Sequence, residues 1–260
     1  DRPLEDALKI FREMGIEQIE PGCGGFAGKA HVAPERLLAS PEALEEFQQT
    51  LQASGLTISA LSCHGNPVHP DPAKAEEYHE DMCNTVRLAE KLGVDTITCF
   101  SGCPGDCEAS RYPNWVTCAW PDDNLDILKY QWDKVLIPYW KSFAQSAKDC
   151  GVSKIALELH PGFSVYNVDT LKRLREAVGP EIGVNFDPSH LLWQGMEPVA
   201  VIRAFAGMIY HVHAKDVCID RYNTARNGVL DTKHYSDETH RSWIFRTIGY
   251  GNDAKYWKDI

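Results

Sequence analysis

Six times along the chain an amphipathic helical run stops at a glycine and a short apolar run follows. The first helical run, Arg2 to Met14, puts Leu4, Ala7, Leu8 and Phe11 on one face and ends at Gly15, before Ile16–Glu20. The unit recurs as Pro34–Ser54, Gly55 and Leu56–Cys63, then as Pro72–Leu92, Gly93 and Val94–Phe100. It recurs again as Asn124–Cys150, Gly151 and Lys154–His160, as Asp169–Val178, Gly179 and Ile182–Asp187, and as Pro198–Ala206, Gly207 and Met208–Lys215. Glycine accepts the left-handed conformation that ends a helix at no steric cost. Asp169 is placed to cap its helix, and Pro198 suits a first helical turn. Near-continuous apolar strands are those of a parallel sheet covered on both faces. Strict alternation of helix and parallel strand leaves an open doubly wound sheet or a (β/α)8 barrel. No nucleotide-cradling glycine loop follows any strand. The nearest approach, Gly22-Cys23-Gly24-Gly25, lacks the GxGxxG spacing and leads into no immediate helix.

Composition narrows the function classes. A length of 260 residues suits one α/β domain, residues 1–260, with 43% hydrophobic residues to build its core. Acidic residues outnumber basic ones by 37 to 26, a net charge of −11. That argues against a nucleic-acid partner, which needs a basic footprint. No apolar run approaches the roughly 20 residues of a membrane span, and no signal peptide opens the chain. The nine cysteines are scattered and odd in number, as buried free thiols would be, and Cys103 and Cys107 flank a loop rather than a zinc knuckle. A cytoplasmic protein with no membrane partner is expected.

In both architectures chemistry sits at the C-terminal ends of the strands. Those ends carry Glu20, His64, Glu158 with His160, Asn185 with Asp187 and His190, and His211, His213, Lys215 and Asp216. Strand alternation puts Glu158 and His160 on one face, Asn185 and Asp187 on one face, and His211, His213 and Lys215 on one face. A carboxylate inside an apolar strand is costly unless paired or metal-bound. Ion pairs with Lys or Arg would serve any one of these acids. Glu158, Asp187 and His213 on three successive strand ends fit a shared divalent cation better.

The motifs Glu158-Leu-His-Pro, Asn185-Phe-Asp-Pro-Ser-His190 and His211-Val-His-Ala-Lys-Asp216 resemble those of the xylose isomerase-like TIM-barrel superfamily, and more narrowly of its sugar phosphate isomerases and epimerases. The resemblance implies a (β/α)8 barrel holding one divalent metal, Mn²⁺ first, with Mg²⁺, Co²⁺ or Zn²⁺ compatible. It places metal ligands at Glu158, Asp187 and His213 and puts His190 beside the substrate or in the metal site. The final glutamate ligand belongs on an eighth strand. Only six strands are visible, so the first and last are expected to be missing from the chain as given, with the fourth ligand beyond Ile260. The stretch Trp243–Gly251 resembles the loop and turn before the closing unit, which would start at Tyr256–Ile260.

Such a site polarises a carbonyl and acidifies the adjacent C–H, so that a base can form a metal-stabilised enediolate. Reprotonation gives isomerisation or epimerisation of a sugar or sugar phosphate. Loss of a β-substituent gives lyase chemistry instead, and the inosose dehydratases and C-glycoside deglycosidases that share this barrel keep that alternative open. Glu158 is a candidate base as well as a ligand, with His64, His160 and Lys215 as candidates for proton transfer. Each has a plainer role available: backbone bonding for His64, a strand end for His160, an ion pair for Lys215. An endonuclease IV-like nuclease is a remote alternative, because Val94–Phe100 ends without histidine and the charge is wrong. A non-enzymatic binding module is a further one. The long loop Gly102–Asp123 carries Arg111, Tyr112, Trp115 and Trp120. Trp115, Trp193 and Arg111 are candidate substrate contacts. The same aromatics suit packing against a second copy, which leaves a homo-oligomer open.

Overall fold

The structure, a computed structural model, describes residues 2–260. In chain order the strands are β1 (Gln18–Ile19), β2 (Gly22–Gly25), β3 (Thr57–Ile58), β4 (Leu61–His64), β5 (Thr96–Cys99), β6 (Lys154–Glu158), β7 (Ile182–Phe186), β8 (Ile209–Val212), β9 (Asp216–Ile219) and β10 (Trp243–Arg246). Strands β2, β4, β5, β6, β7 and β8 form one parallel sheet in that order, so every connection within it is a helical crossover. β1 and β3 add a short parallel pair just ahead of β2 and β4 in the chain. The six helix-to-strand units expected from the periodicity are therefore present. Their strands are buried because helices cover them: Leu61, Ile97, Ile155, Leu157 and Val184 are all inaccessible to solvent. Each such side chain contributes about 1.5–3 kcal/mol relative to exposure.

Several boundaries differ from the sequence reading. Gly22–Gly25 is a strand, not a loop, with Gly24 opposite Cys63 and Gly25 opposite His64. At Gly25 φ is +60°, and a Cβ there would overlap the His64 carbonyl; at Gly24 a Cβ would meet Asp81 at 2.8 Å. Asp81 uses that space, accepting from Gly25 N at 2.9 Å and pairing with Lys29 at 2.6 Å. The Pro34–Ser54 run is two helices, Pro34–Ala39 and Pro41–Ser54. Pro41 has no N–H to continue the first and holds Ser40 extended, and Ser40 then caps the second by accepting from Ala43 N at 3.1 Å. The Asn124–Cys150 run contains a π-helical stretch, Gln131–Leu136, immediately before Pro138, which cannot donate within the helix. Asn167, not Asp169, caps Val168–Val178: Asn167 Oδ1 accepts from Thr170 N at 3.0 Å, and Thr170 Oγ1 accepts from Asn167 N at 3.1 Å. Asp169 sits in the first turn, where its charge suits the helix dipole.

Beyond β8 the chain builds a second, smaller unit. Trp243–Arg246, read from the sequence as loop, is β10 and pairs antiparallel with β9, Trp243 opposite Ile219 and Arg246 opposite Asp216. Trp193, Val217 and Trp243 form its small core. Asp216 is the tie. Its buried carboxylate accepts from the backbone N–H groups of Val217 (2.8 Å), Gly249, Gly251 and Asn252 (3.0 Å each), and from Asn252 Nδ2 (2.7 Å) and Trp257 Nε1 (3.2 Å).

Burial alone would push the Asp216 carboxyl up, but the bonds from Asn252, Trp257 and Gly251 outweigh it and hold it below the usual carboxylate range. Its stabilising effect is therefore fully present above the unfolded value near about 4 and is lost as pH falls through the folded one. Asp216→Ala is expected to cost about 3 kcal/mol or more, because several buried N–H donors lose their acceptor. Urea denaturation of both proteins at neutral pH and at about pH 3 checks this. A difference that persists undiminished in acid would contradict the ionised carboxylate as its source.

Candidate active site

Glu158, the last residue of β6, is the centre of the polar end of the sheet. Its carboxylate is 5% exposed. Oε1 lies 2.8 Å from His190 Nε2, while Oε2 lies 3.0 Å from His213 Nδ1 and 3.1 Å from His64 Nε2. These imidazoles arrive from the end of β4, the turn after β7 and the end of β8. Burial pushes the Glu158 carboxyl up, but the hydrogen bonds from His190, His213 and His64 outweigh it, so Glu158 stays ionised well below the usual range. The reverse holds at His213. Burial would push it down, but Glu158 and Glu20 raise it to about 10. His213 is thus an imidazolium between two carboxylates.

Asp187 sets up the second half of the site through local structure. As the N-cap of the short helix Pro188–Leu192, its Oδ1 accepts from Ser189 N at 2.9 Å and Ser189 Oγ at 2.6 Å. One turn later His190 Nε2 comes back to 3.3 Å from Asp187 Oδ2. Lys215 Nζ lies 2.8 Å from the same oxygen and 3.1 Å from His190 Nε2. His160 packs against His190, with ring centres 4.3 Å apart and planes tilted by 52°. Burial and the facing His190 push His160 down to about 4, so it is neutral near pH 7. Its Nδ1 is 2.6 Å from the Pro161 carbonyl, which can only accept, so Nε2 keeps a lone pair.

Trp115 and Trp193 line a cleft of about 260 Å³ together with His160 and His190; Arg111 is exposed in its loop and does not line that cleft. Among the described residues, three sets of side chains bring ligand atoms within 4.8 Å of one another: Glu20, His211 and His213; His64, Glu158 and His213; and Glu158, Asp187 and His190. Glu158 bridges the last two, so it stands with His213 in one and with Asp187 in the other, while Asp187 and His213 share none. The donor chemistry fits a divalent cation. His64 Nε2, Asp187 Oδ2 and Asn185 Oδ1 are buried with no hydrogen bond of ordinary geometry, although charged groups stand close to the first two. Lone pairs stranded in this way cost stability unless something accepts them.

Glu20 and His211 were given no role in the sequence reading. Glu20 Oε2 lies 2.7 Å from His213 Nε2 and 3.0 Å from His211 Nε2, and Thr98 donates to Oε1. Glu20 stands between β1 and β2 and the histidines on or beside β8, so these contacts join the first and last strands of the sheet. The signal for Glu20 was its place at the end of the first apolar run.

The sequence model of the xylose isomerase-like TIM barrel family matches residues 8–257, and the chain belongs to that family. Its fold is accordingly a TIM barrel fold. The chain is 44% identical over 261 residues to the uncharacterized protein YfiH of Bacillus subtilis, covering 99% of this chain and 83% of that one. It is 32% identical over 128 residues to an inosose dehydratase of Geobacillus kaustophilus, covering 48% of this chain and 41% of that one. A solved xylose isomerase-like TIM barrel protein from Mycobacterium smegmatis, in complex with magnesium, superposes with a TM-score of 0.60 at 20% identity, covering 85% and 69% of the two chains.

A cation taking His213 as a ligand must displace the proton that the two carboxylates hold there. Titrating chelator-treated protein with Mg²⁺ or Mn²⁺ near pH 7, in buffers of different ionisation enthalpy, is expected to show proton release. Apparent affinity should rise between about pH 6 and about pH 9. Affinity flat across that range would remove His213 from the ligand set.

Proposed function

We propose that the chain is a divalent-metal-dependent isomerase or epimerase of a sugar or related polyhydroxy ketone. The observation that carries this reading is the buried, ionised Glu158, ringed by the His64, His190 and His213 imidazoles. Glu158 would hold the cation together with His64 and His213 or with Asp187 and His190, the two sets that it bridges. When bound, a divalent ion polarises a substrate carbonyl and acidifies the neighbouring C–H.

The protein groups do the rest. Glu158 takes the proton from carbon; the C–H electron pair becomes the new C=C bond and the carbonyl π pair moves onto oxygen, giving an enediolate. Lys215, an ammonium held at the site by Asp187, supports the negative charge growing on that oxygen. His64 or neutral His160 carries the proton between oxygen and carbon positions. Return of the proton to the neighbouring carbon isomerises the substrate, and return to the opposite face epimerises it. Mn²⁺, Mg²⁺, Co²⁺ and Zn²⁺ all suit this mixed nitrogen and oxygen donor set.

A dehydratase is the second reading, favoured by one specific pairing. Lys215 lies 3.1 Å from His190 Nε2, so an ammonium stands beside the Glu158 cluster and could protonate a departing β-hydroxyl while Glu158 takes the proton from carbon. The Geobacillus inosose dehydratase shares 32% identity across about half of this chain.

Incubation of candidate keto-sugars and cyclic ketones in deuterated water, followed by proton NMR, separates the two. Deuterium entering an intact carbon skeleton is the isomerase or epimerase outcome, whereas a dehydrated product is the second. In either case Glu158→Gln should lower the exchange rate by about 10²–10⁴-fold. Full exchange in that variant would end Glu158 as the base.

A further inference from the structure

Pro21 shapes the backbone at Glu20. A residue before proline is held extended, and Pro21 has no N–H of its own to place. The carbonyls on either side of Glu20 are both taken: Ile19 accepts from Ser59 N at 2.9 Å and Pro21 from Ser62 N at 3.0 Å. The carboxylate is held as closely as the backbone. Thr98, fully buried on β5, donates to Oε1, while His211 Nε2 and His213 Nε2 lie 3.0 Å and 2.7 Å from Oε2. An ionised carboxylate only accepts, so both of those nitrogens donate to it.

The His213 ring is divided between two acids. Its Nε2 reaches Glu20, and its Nδ1 reaches Glu158 at 3.0 Å. Asn185 Nδ2 stands 3.1 Å from Nδ1 and 3.3 Å from Nε2, too evenly placed to tell the two nitrogens apart. Turning the ring over would set carbons against both carboxylates and lose both bonds. The two acids together therefore fix its orientation. They are not equivalent toward a cation. Glu158 belongs to two of the three sets of possible ligands among the described residues, and one of these brings Asp187 as a second carboxylate, whereas the set of Glu20, His211 and His213 has one carboxylate alone. A divalent cation is drawn to the side with two negative charges. Once Glu158 and His213 are ligands together, Nδ1 no longer donates to Glu158, and Glu20 is the acid that still holds the ring.

We propose that Glu20 is a positioning residue of the cation site: its carboxylate accepts from His213 Nε2–H and so aims Nδ1 at the cation held with Glu158. This rests on the metal-dependent reading above, with His213 among the ligands, and adds the group that orients that ligand. Glu20 itself touches neither cation nor substrate. An acceptor on the far nitrogen of an imidazole ligand fixes both its tautomer and its direction, and losing one typically costs about 10–100-fold in metal affinity.

The test is metal binding rather than turnover. Mn²⁺ affinity is measured by calorimetry on chelator-treated protein, unaltered and as Glu20→Gln and Glu20→Ala. Gln keeps an acceptor oxygen for His213 and Ala does not. Ala is expected to weaken binding about 10–100-fold and Gln by less. A merely structural role would not select a ring nitrogen, so a second readout does. With ¹⁵N-labelled histidine and one equivalent of Zn²⁺, His213, assigned with His213→Asn, should keep its proton on Nε2 and carry none on Nδ1. That measurement uses the unaltered residue at position 20 and stands if the Glu20 variants fail to fold. Equal Mn²⁺ affinity in all three proteins, or a cation-loaded His213 with its proton on Nδ1, overturns the proposal. So does a second Mn²⁺ per chain that Glu20→Ala abolishes, which would make Glu20 a ligand. If the unaltered protein binds no divalent cation, the metal-dependent reading falls as well. Affinity that depends on Glu20, without C–H exchange on any substrate, leaves the proposal standing and removes the enolising function.

Discussion

The polar end of the sheet depends on one carboxylate. Glu158 follows Ile155, Ala156 and Leu157, none of them exposed, and is itself nearly so. Removing an ionised carboxylate from water costs several kcal/mol even after relaxation, and the cost is recovered only where donors converge on both oxygens. Here the donors are imidazoles carried by three other parts of the sheet. Register therefore matters as much for the site as for the core. Glu158 stands opposite Asn185 and Asn185 opposite His211. A slip of one residue would turn every such side chain to the other face. Core and site impose the same pairing, so they reinforce each other.

Charge balance explains the rest of the cluster. Glu20, Glu158 and Asp187 bring three carboxylates close together, and His213 and Lys215 answer them. His213 carries its proton because it stands between Glu20 and Glu158, and Lys215 is drawn to Asp187. The cluster is thus held together by a proton and an ammonium, both of which a divalent cation could replace or push aside. One acceptor beside the cluster stays unused, since Asn185 Oδ1 is buried without a hydrogen bond.

Much of this was legible in the sequence, and the gaps have physical causes. The helix-glycine-strand period located five of the six strands of the main sheet, and missed Gly22–Gly25 because that strand is glycine and cysteine rather than an apolar run. Strand alternation and the Asp-Pro-Ser-His run singled out Glu158, Asp187, His190 and His213 before their contacts were seen. Glu20 escaped notice as a partner because its contacts are with His211 and His213, nearly two hundred residues on, and no local pattern encodes a meeting of the first and last strands. The split at Pro41 was readable from the missing N–H alone and was outweighed by apolar spacing. The cap at Asn167 was hidden by an equally good capping residue two places later. The strand Trp243–Arg246 is four residues long and packs on a small core of its own with Trp193 and Val217, so it carries none of the long apolar run that marks the strands of the main sheet.

That last point ties the two parts of the molecule together. Lys215 belongs to the polar cluster of Asp187 and His190, and Asp216 to the carboxylate tie that gathers Gly249, Gly251, Asn252 and Trp257. These two neighbours face opposite duties across one peptide bond. Holding Asp216 fixes the start of β9, β9 fixes β10 by antiparallel pairing, and β10 carries Trp243 and Phe245 into the cleft wall. Phe245 in turn lies under the Lys215 ammonium and edge-on to His190 at 5.1 Å. The aromatic wall and the Lys215–His190 pair are therefore positioned by the same short stretch of backbone, so a displacement of the wall would also disturb Lys215 and His190.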